Sequence, residues 1–289
     1  MKIGPAFTAL AVFVLGWHLA AWLAGPQILP SPWAVGLDLA GRLQEAQFYR
    51  HFLASFRRAS AGIFLGLLLA VPLGWLMGSF PKLDSYLAPL LFLTYPVPKI
   101  LFLPVLLVML GLGEAPKIVL AAVTAGYQVL VVVRDCIISL DRSYFETFSL
   151  LLPENISPLK KAASLIRHVL LPASLPAAAT AVRLASGTAV AVLFMAESFA
   201  TDLGLGFLIV DAWGNLDLPR MFSGILAMGF LGGFYYVLAN LAEKKLCPWS
   251  ERYQDPAGSR AGRRLRSEQR RSLKKLKQTS RLLRKIFPK

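Results

Sequence analysis

The chain has 289 residues, of which 56% are hydrophobic and only 16% charged, with a mean hydropathy of +0.56. A soluble domain of this length needs more polar surface, so hydrocarbon is expected to solvate much of it. The formal charge of +15 is uneven: 16 of the 31 Lys and Arg lie from Lys244 onward, against only Glu251, Asp255 and Glu268, so a nearly neutral body carries a basic tail.

A helix needs about 20 apolar residues to cross roughly 30 Å of hydrocarbon. About six segments pass that test: Ala6–Ala24, Ala59–Gly78, Tyr86–Leu110 with an interruption, Ile118–Ile138, Pro176–Phe199 and Met221–Leu241. The first exceeds a signal-peptide core in length, starts from a single Lys2 and lacks a clean A-x-A site, so it reads as a retained span. The expectation is an all-α, polytopic membrane protein.

An even number of spans puts both termini on one side. Lys2 and the tail assign that side to the cytoplasm by the positive-inside rule. Arg134, Arg142, Lys160, Lys161 and Arg167 fall on the same side. Arg42, Arg50, Arg57 and Arg58 fall on the other. They read as part of an interfacial segment, Gly36–Arg58, whose long side chains snorkel.

Within the third candidate span, TYPVPK carries Pro96 and Pro98, which remove backbone donors and should kink or split the helix. A broken helix at membrane depth persists against protein or a wet cavity. Tyr95 and Lys99 beside it make this a candidate stretch of solute path, with a plain packing kink as the alternative. Arg183 lies about 10 Å into the fifth span by helical rise, and Glu197 about 21 Å further. They cannot pair within one helix, so each needs its own partner or water. Both are pathway candidates, because ionisable groups inside a membrane are functional by default. For Glu197 the alternative is an interfacial carboxylate beside Asp202.

The largest internal cytoplasmic segment is about 139–171. It ends in RHVLLPASLP, where Pro172 and Pro176 are expected to stop one helix and start the next. Leu150, Leu151, Leu152 and Ile156 offer apolar anchors, with Glu146, Glu154, Lys160 and Lys161 as a charged rim. Pro153 and Pro158 keep any helix there short or broken.

No chemistry of its own is expected of the chain. Cys136 and Cys247 are far apart, His18, His51 and His168 are scattered, and neither metal spacing nor a catalytic triad can be assembled. No G-x-x-x-x-G-K-[ST] loop occurs, so ATP is not hydrolysed here.

Four motifs in order carry a resemblance: LPSPWAV at Leu29–Val35, YPVPKILFLPVLLVMLGLGEAPK at Tyr95–Lys117, RHVLLPASLP at Arg167–Pro176 and AESFATDLGLGFLI at Ala196–Ile209. Together they resemble the inner-membrane permease subunit of binding-protein-dependent ABC importers, and more narrowly the nitrate/sulfonate/taurine branch, over about residues 25–249. The chain departs from that pattern in its loop. No glycine lies between Asp141 and Pro172, and Glu146 best matches the acidic residue of the E-A-A motif across an apparent insertion around LLPENISP.

The resemblance implies a type I ABC importer permease fold over 1–249 and a coupling helix within 139–171. It implies a dimer of ATPase subunits holding ATP and Mg, an extracytoplasmic solute-binding protein, a second or sister permease copy, and a cell inner membrane location. The solute would be small and often anionic. The tail, 250–289, spaces Leu265, Leu273, Leu276, Leu283 and Ile286 among its charges. That pattern suits anionic membrane lipid better than nucleic acid, with a solvated tail as the plain alternative. A membrane scaffold or receptor whose tail binds lipid, RNA or an effector is the competing reading.

Overall fold

The computed structural model describes residues 3–153, 155–199 and 201–249. The tail lies outside them. The chain divides into two compact units, Met1–Asn240 and Leu241–Lys289. Every regular element among the described residues is helical.

Among the described residues, five helices are long and apolar enough to cross a membrane, or six if a bent helix pair counts as one span. α1 (Ile3–Ala24) is followed by a short α2 (Pro32–Arg42). The LPSP motif explains that start: the Ser31 hydroxyl accepts the Ala34 N–H, and Pro32 occupies a first-turn position that needs no donor. α1 is tied down by Trp17, whose Nε1 donates to Pro30 O and whose ring lies 6.0 Å from Phe222.

α3 (Ala46–Ser79) and α6 (Glu114–Ile138) form the centre of the bundle. They approach closely because glycine faces them: a Cβ on Gly66 would stand 2.7 Å from the Ala122 carbonyl oxygen. Small residues four apart are the usual means of such contact in lipid. α9 (Leu171–Phe199) packs against α6 and also touches α3. Outward faces stay apolar: Trp22 is 76%, Leu69 70% and Val108 87% exposed, surface that suits lipid rather than water.

α4 (Pro81–Thr94) and α5 (Leu103–Leu110) are the bent pair, joined through Tyr95–Pro98 and a tight turn at Lys99–Phe102, with a bend of 94°. The break falls at the two prolines, as the sequence predicts.

Beyond α6 come α7 (Arg142–Leu150) and α8 (Pro158–Leu165), with Pro153 in the gap between them. Here the structure corrects one expectation. Pro172 and Pro176 do not stop a helix; helical structure runs through both, from Pro158 to Phe199. The reason is a π-turn at Ile166–Leu170, in which the Leu171 N–H reaches back to Ile166 O. That wider turn, immediately before Pro172, relieves the clash a proline makes with the preceding turn. α10 (Leu205–Gly214) is short, and α11 begins at Leu218 and ends at Leu246. In the second unit its end carries Lys244 and Lys245, and Cys247 N–H closes the helix on Glu243 O at 2.8 Å.

Candidate functional site

α3 is longer than a membrane is thick, and its N-terminal third carries polar residues on the face that turns inward. His51, Ser55 and Arg58 recur every three or four residues and are buried, in line with Gly62 and Gly66. The sequence reading places Arg58 among snorkelling side chains; the structure instead leaves it 1% exposed. A buried guanidinium persists only with its donors met, and three oxygen-bearing partners meet them. Nε and Nη2 donate to the two Glu114 oxygens at 2.7 and 2.5 Å, a forked pair. Nη1 donates to Glu197 Oε1 and to Leu203 O, both at 2.7 Å.

Glu197 is fully buried near the end of α9. Besides Arg58 it accepts the Ser55 hydroxyl, 2.7 Å from Oε2, and the Gly206 N–H at 2.9 Å. Ser55 Oγ also accepts the Leu205 N–H at 2.8 Å. His51 Nδ1 lies 3.0 Å from Gly204 O, with its ring stacked on Phe207. The first turn of α10 is thus bound to α3 and α9 through one carboxylate. This explains DLGLG. Gly204 has φ +136°, and a Cβ there would stand 2.5 Å from the Glu197 carboxyl carbon. A Cβ on Gly206 would stand 2.6 Å from the Phe194 carbonyl. Lys117, 2% exposed, donates to Gly113 O from the first turn of α6.

At the α4–α5 break, Lys99 Nζ donates to the carbonyls of Thr94, Tyr95 and Val97 at 2.7, 3.1 and 3.0 Å. Thr94 O also accepts the Val97 N–H at 3.2 Å, while the helix end and the two prolines leave the Tyr95 and Val97 carbonyls to the ammonium, and a cation suits a helix C-terminus. The ammonium also lies 4.2 Å over the Tyr127 ring. Tyr95, Pro96 and Pro98 are exposed around it. Arg183 is half-buried on α9 and donates to Asn240 Oδ1 at 3.1 Å and Thr180 Oγ1 at 2.9 Å. It lies far from Glu197, with an apolar stretch between them.

The opposite end of the bundle is held by Arg134 on α6, which forks onto Asp84 of α4 at 2.5 and 2.6 Å. Next to it a groove of about 660 Å³ is lined by Met77, Asp84, Ile137, Arg142 and Phe145 among others. α7 sits over this groove. Asp141 caps α7 by accepting the Ser143 N–H at 2.8 Å, which holds its carboxyl below the ordinary value. α7 turns Phe145 and Phe148 partly inward and leaves Tyr144, Glu146, Leu150 and Leu151 exposed. Leu152 is half-buried, and Lys160 and Lys161 are exposed on α8. Glu154 lies outside the described residues. No group of acids, histidines and cysteines that could hold a metal occurs among the described residues.

Of these groups, Glu197, Lys99, Arg183 and the loop stand out as site candidates in the sequence, whereas Arg58, Ser55, His51 and Glu114 do not.

Spanning helices, a broken span, a buried charge cluster at one end and an exposed polar loop at the other define a multi-pass membrane protein. Residues 62–246, more than half the chain, match the family described as binding-protein-dependent transport system inner membrane component, and the chain belongs to that family. It is 31% identical to a probable ABC transporter permease protein of Brucella abortus over 86% of this chain and 97% of that one. It is 28% identical to SsuC of Bacillus subtilis, a permease named for aliphatic sulfonates, over 84% and 87%. It is 27% identical to the taurine transport system permease protein TauC of Escherichia coli, over 83% and 87%. The chain is therefore a transport permease and not an enzyme, and the ATPase of such a system is a separate subunit.

Proposed function

We propose that residues 1–249 line the solute path of an ATP-driven importer and that the 139–171 loop couples this path to the ATPase dimer. The observation that carries the coupling role is an apolar surface outside the spans. Leu150 is 86%, Leu151 79% and Leu159 82% exposed on a polar loop. Large apolar side chains bared outside hydrocarbon call for a protein cover. With Leu152 beside them and Glu146, Lys160 and Lys161 around them, they have the make-up of an anchored patch inside a charged rim, and Glu154 belongs to the same rim in this reading. Movement of the ATPases would reach the spans through Phe145 and the groove it borders.

Both termini are cytoplasmic in this reading, on the side of Arg134, Arg142 and Arg167. The Arg58 cluster is then at the outer end, where a solute-binding protein delivers its load to the permease and its second or sister copy. Tyr95, Pro96, Pro98, Lys99 and Arg183 border the path, and Glu197 contributes by fixing α10 at its mouth. The solute is a small polar molecule, and the sulfonate and taurine names of relatives together with Lys99 and Arg183 favour an anion. The scaffold reading rests on the basic tail and has no comparable support.

The test is mild-detergent purification of the tagged protein from its native membrane, with mass spectrometry of what accompanies it. The intact chain should bring down an ATP-binding-cassette subunit. A variant with Leu150, Leu151 and Leu152 changed to Asp should release it. An intact chain without an ATPase, whose catch depends on the tail, would overturn the proposal in favour of the scaffold.

A further inference from the structure

The apolar span Ile118–Ile138 has its midpoint at Gln128, and the apolar span Pro176–Phe199 has its midpoint at 187–188. These two midpoints touch: Gln128 Nε2 donates to Thr188 Oγ1 at 2.8 Å. The bond is exposed on the surface of the chain, at the depth where exposure to lipid is least tolerable.

The polar capacity of the pair is not used up. Thr188 donates its hydroxyl hydrogen to Ala185 O at 2.9 Å. Gln128 is half-buried and its side chain makes no other hydrogen bond among the described residues, so its carbonyl oxygen and one amide hydrogen have no partner there. Other hydroxyls on these stretches are satisfied inside the chain: Thr124 on Leu120 O, Ser186 on Arg183 O and Tyr127 against Thr94. The surface beside the pair is open: a Cβ on Gly187 would meet nothing within 4 Å, and Leu184 is 65% exposed.

We infer that Gln128 and Thr188 form a wet, mid-depth subsite on the solute path, which takes a small hydrophilic anion by hydrogen bonds rather than by a fixed charge. An amide beside a hydroxyl holds a polar group without trapping it, as a transit site requires. The charge bias comes from farther away. Between Lys117 and Arg134 α6 carries no charged residue, and between Arg183 and Glu197 α9 carries none. Arg183 is five residues from Thr188, whereas Glu197 is nine residues away. Lys99 lies over Tyr127, one residue along α6 from Gln128. This subsite rests on the importer reading above.

The experiment uses the permease with its copurified ATPase in liposomes, Cys136 and Cys247 being replaced by Ser. Thr188→Cys, Gln128→Cys and a lipid-facing reference, Leu69→Cys, are made singly. The probes are two water-soluble methanethiosulfonates, one anionic (sulfonatoethyl) and one cationic (trimethylammonium-ethyl). Thr188→Cys should react about tenfold or more faster than Leu69→Cys, since hydrocarbon excludes both probes. Relative to Gln27→Cys in an exposed turn, the anionic probe should gain about threefold over the cationic one. Equal sluggishness at positions 188 and 69 would overturn the subsite, as would spontaneous disulfides joining two Thr188→Cys chains across a closed face. A gain for the cationic probe would overturn the anion assignment. If Thr188→Cys fails to assemble, the same comparison on Gln128→Cys decides. Labelling requires no transport, so copurification of the ATPase with the cysteine-free parent judges the underlying reading separately.

Discussion

Arg58 Nη1 lies 2.7 Å from Glu197 Oε1, although the two residues are 139 positions apart in the chain, and neither side chain is more than 1% exposed. Breaking such a pair by removing one partner leaves a buried charge and costs about 3–5 kcal/mol, whereas replacing both by apolar groups is often near neutral. Arg58→Met and Glu197→Leu should each lower the unfolding free energy in detergent by that order, and the double variant should recover much of the loss. Strict additivity of the two losses would show that the pair is not coupled.

The glycines around this carboxylate should behave unequally. Gly204→Ala and Gly206→Ala force a Cβ against Glu197 or the Phe194 carbonyl, and overpacking of this kind costs about 1–3 kcal/mol. Gly187→Ala meets open space and should stay within about 0.5 kcal/mol of the parent. Thermal unfolding of the three variants in one detergent checks the order.

Lys99 closes the bare end of α4 with three hydrogen bonds. Lys99→Met keeps the stem but loses these bonds and the contact with Tyr127. Hydrogen exchange at 94–102 should quicken by about tenfold or more, since a bond from a charged donor contributes about 1.5–3 kcal/mol. Exchange in α9 should not change.

Asp141 gives a pH dependence with a definite sign. Its carboxyl is held below the ordinary 3.8 by the Ser143 N–H. The ionised form therefore stabilises α7 fully above the ordinary value, and that stabilisation is lost as pH falls through the lower folded value. Hydrogen exchange of 142–150, corrected for intrinsic rates, should be flat from neutral pH to mild acid and rise only below pH 3.8. In Asp141→Asn that acid rise should be much reduced.

Much of this architecture was legible because hydrophobic runs and prolines act locally. The spans follow from length and apolarity, and the TYPVPK break from two missing donors. Arg58 was not legible by the same logic. A charge beside a polar segment looks like a snorkelling side chain unless its partner is known, and Glu114 and Glu197 are 56 and 139 residues away. One signal was available: His51, Ser55, Arg58, Gly62 and Gly66 fall on one helical face, and small residues continue that face into the span. Pro172 misled for a different reason. A proline rule counts bonds in an α-helix, and a single π-turn at Ile166–Leu170 shifts that count. Gln128 and Thr188 pair only once α6 and α9 lie side by side.

The most direct test of the coupling account places a photo-crosslinking benzoylphenylalanine at Leu151 in the assembled complex and identifies the adduct by mass spectrometry. The account predicts a covalent adduct with the ATP-binding-cassette subunit, absent when the same probe replaces the lipid-facing Trp22. A complex that keeps its ATPase yet gives no ATPase adduct at Leu151 would contradict it.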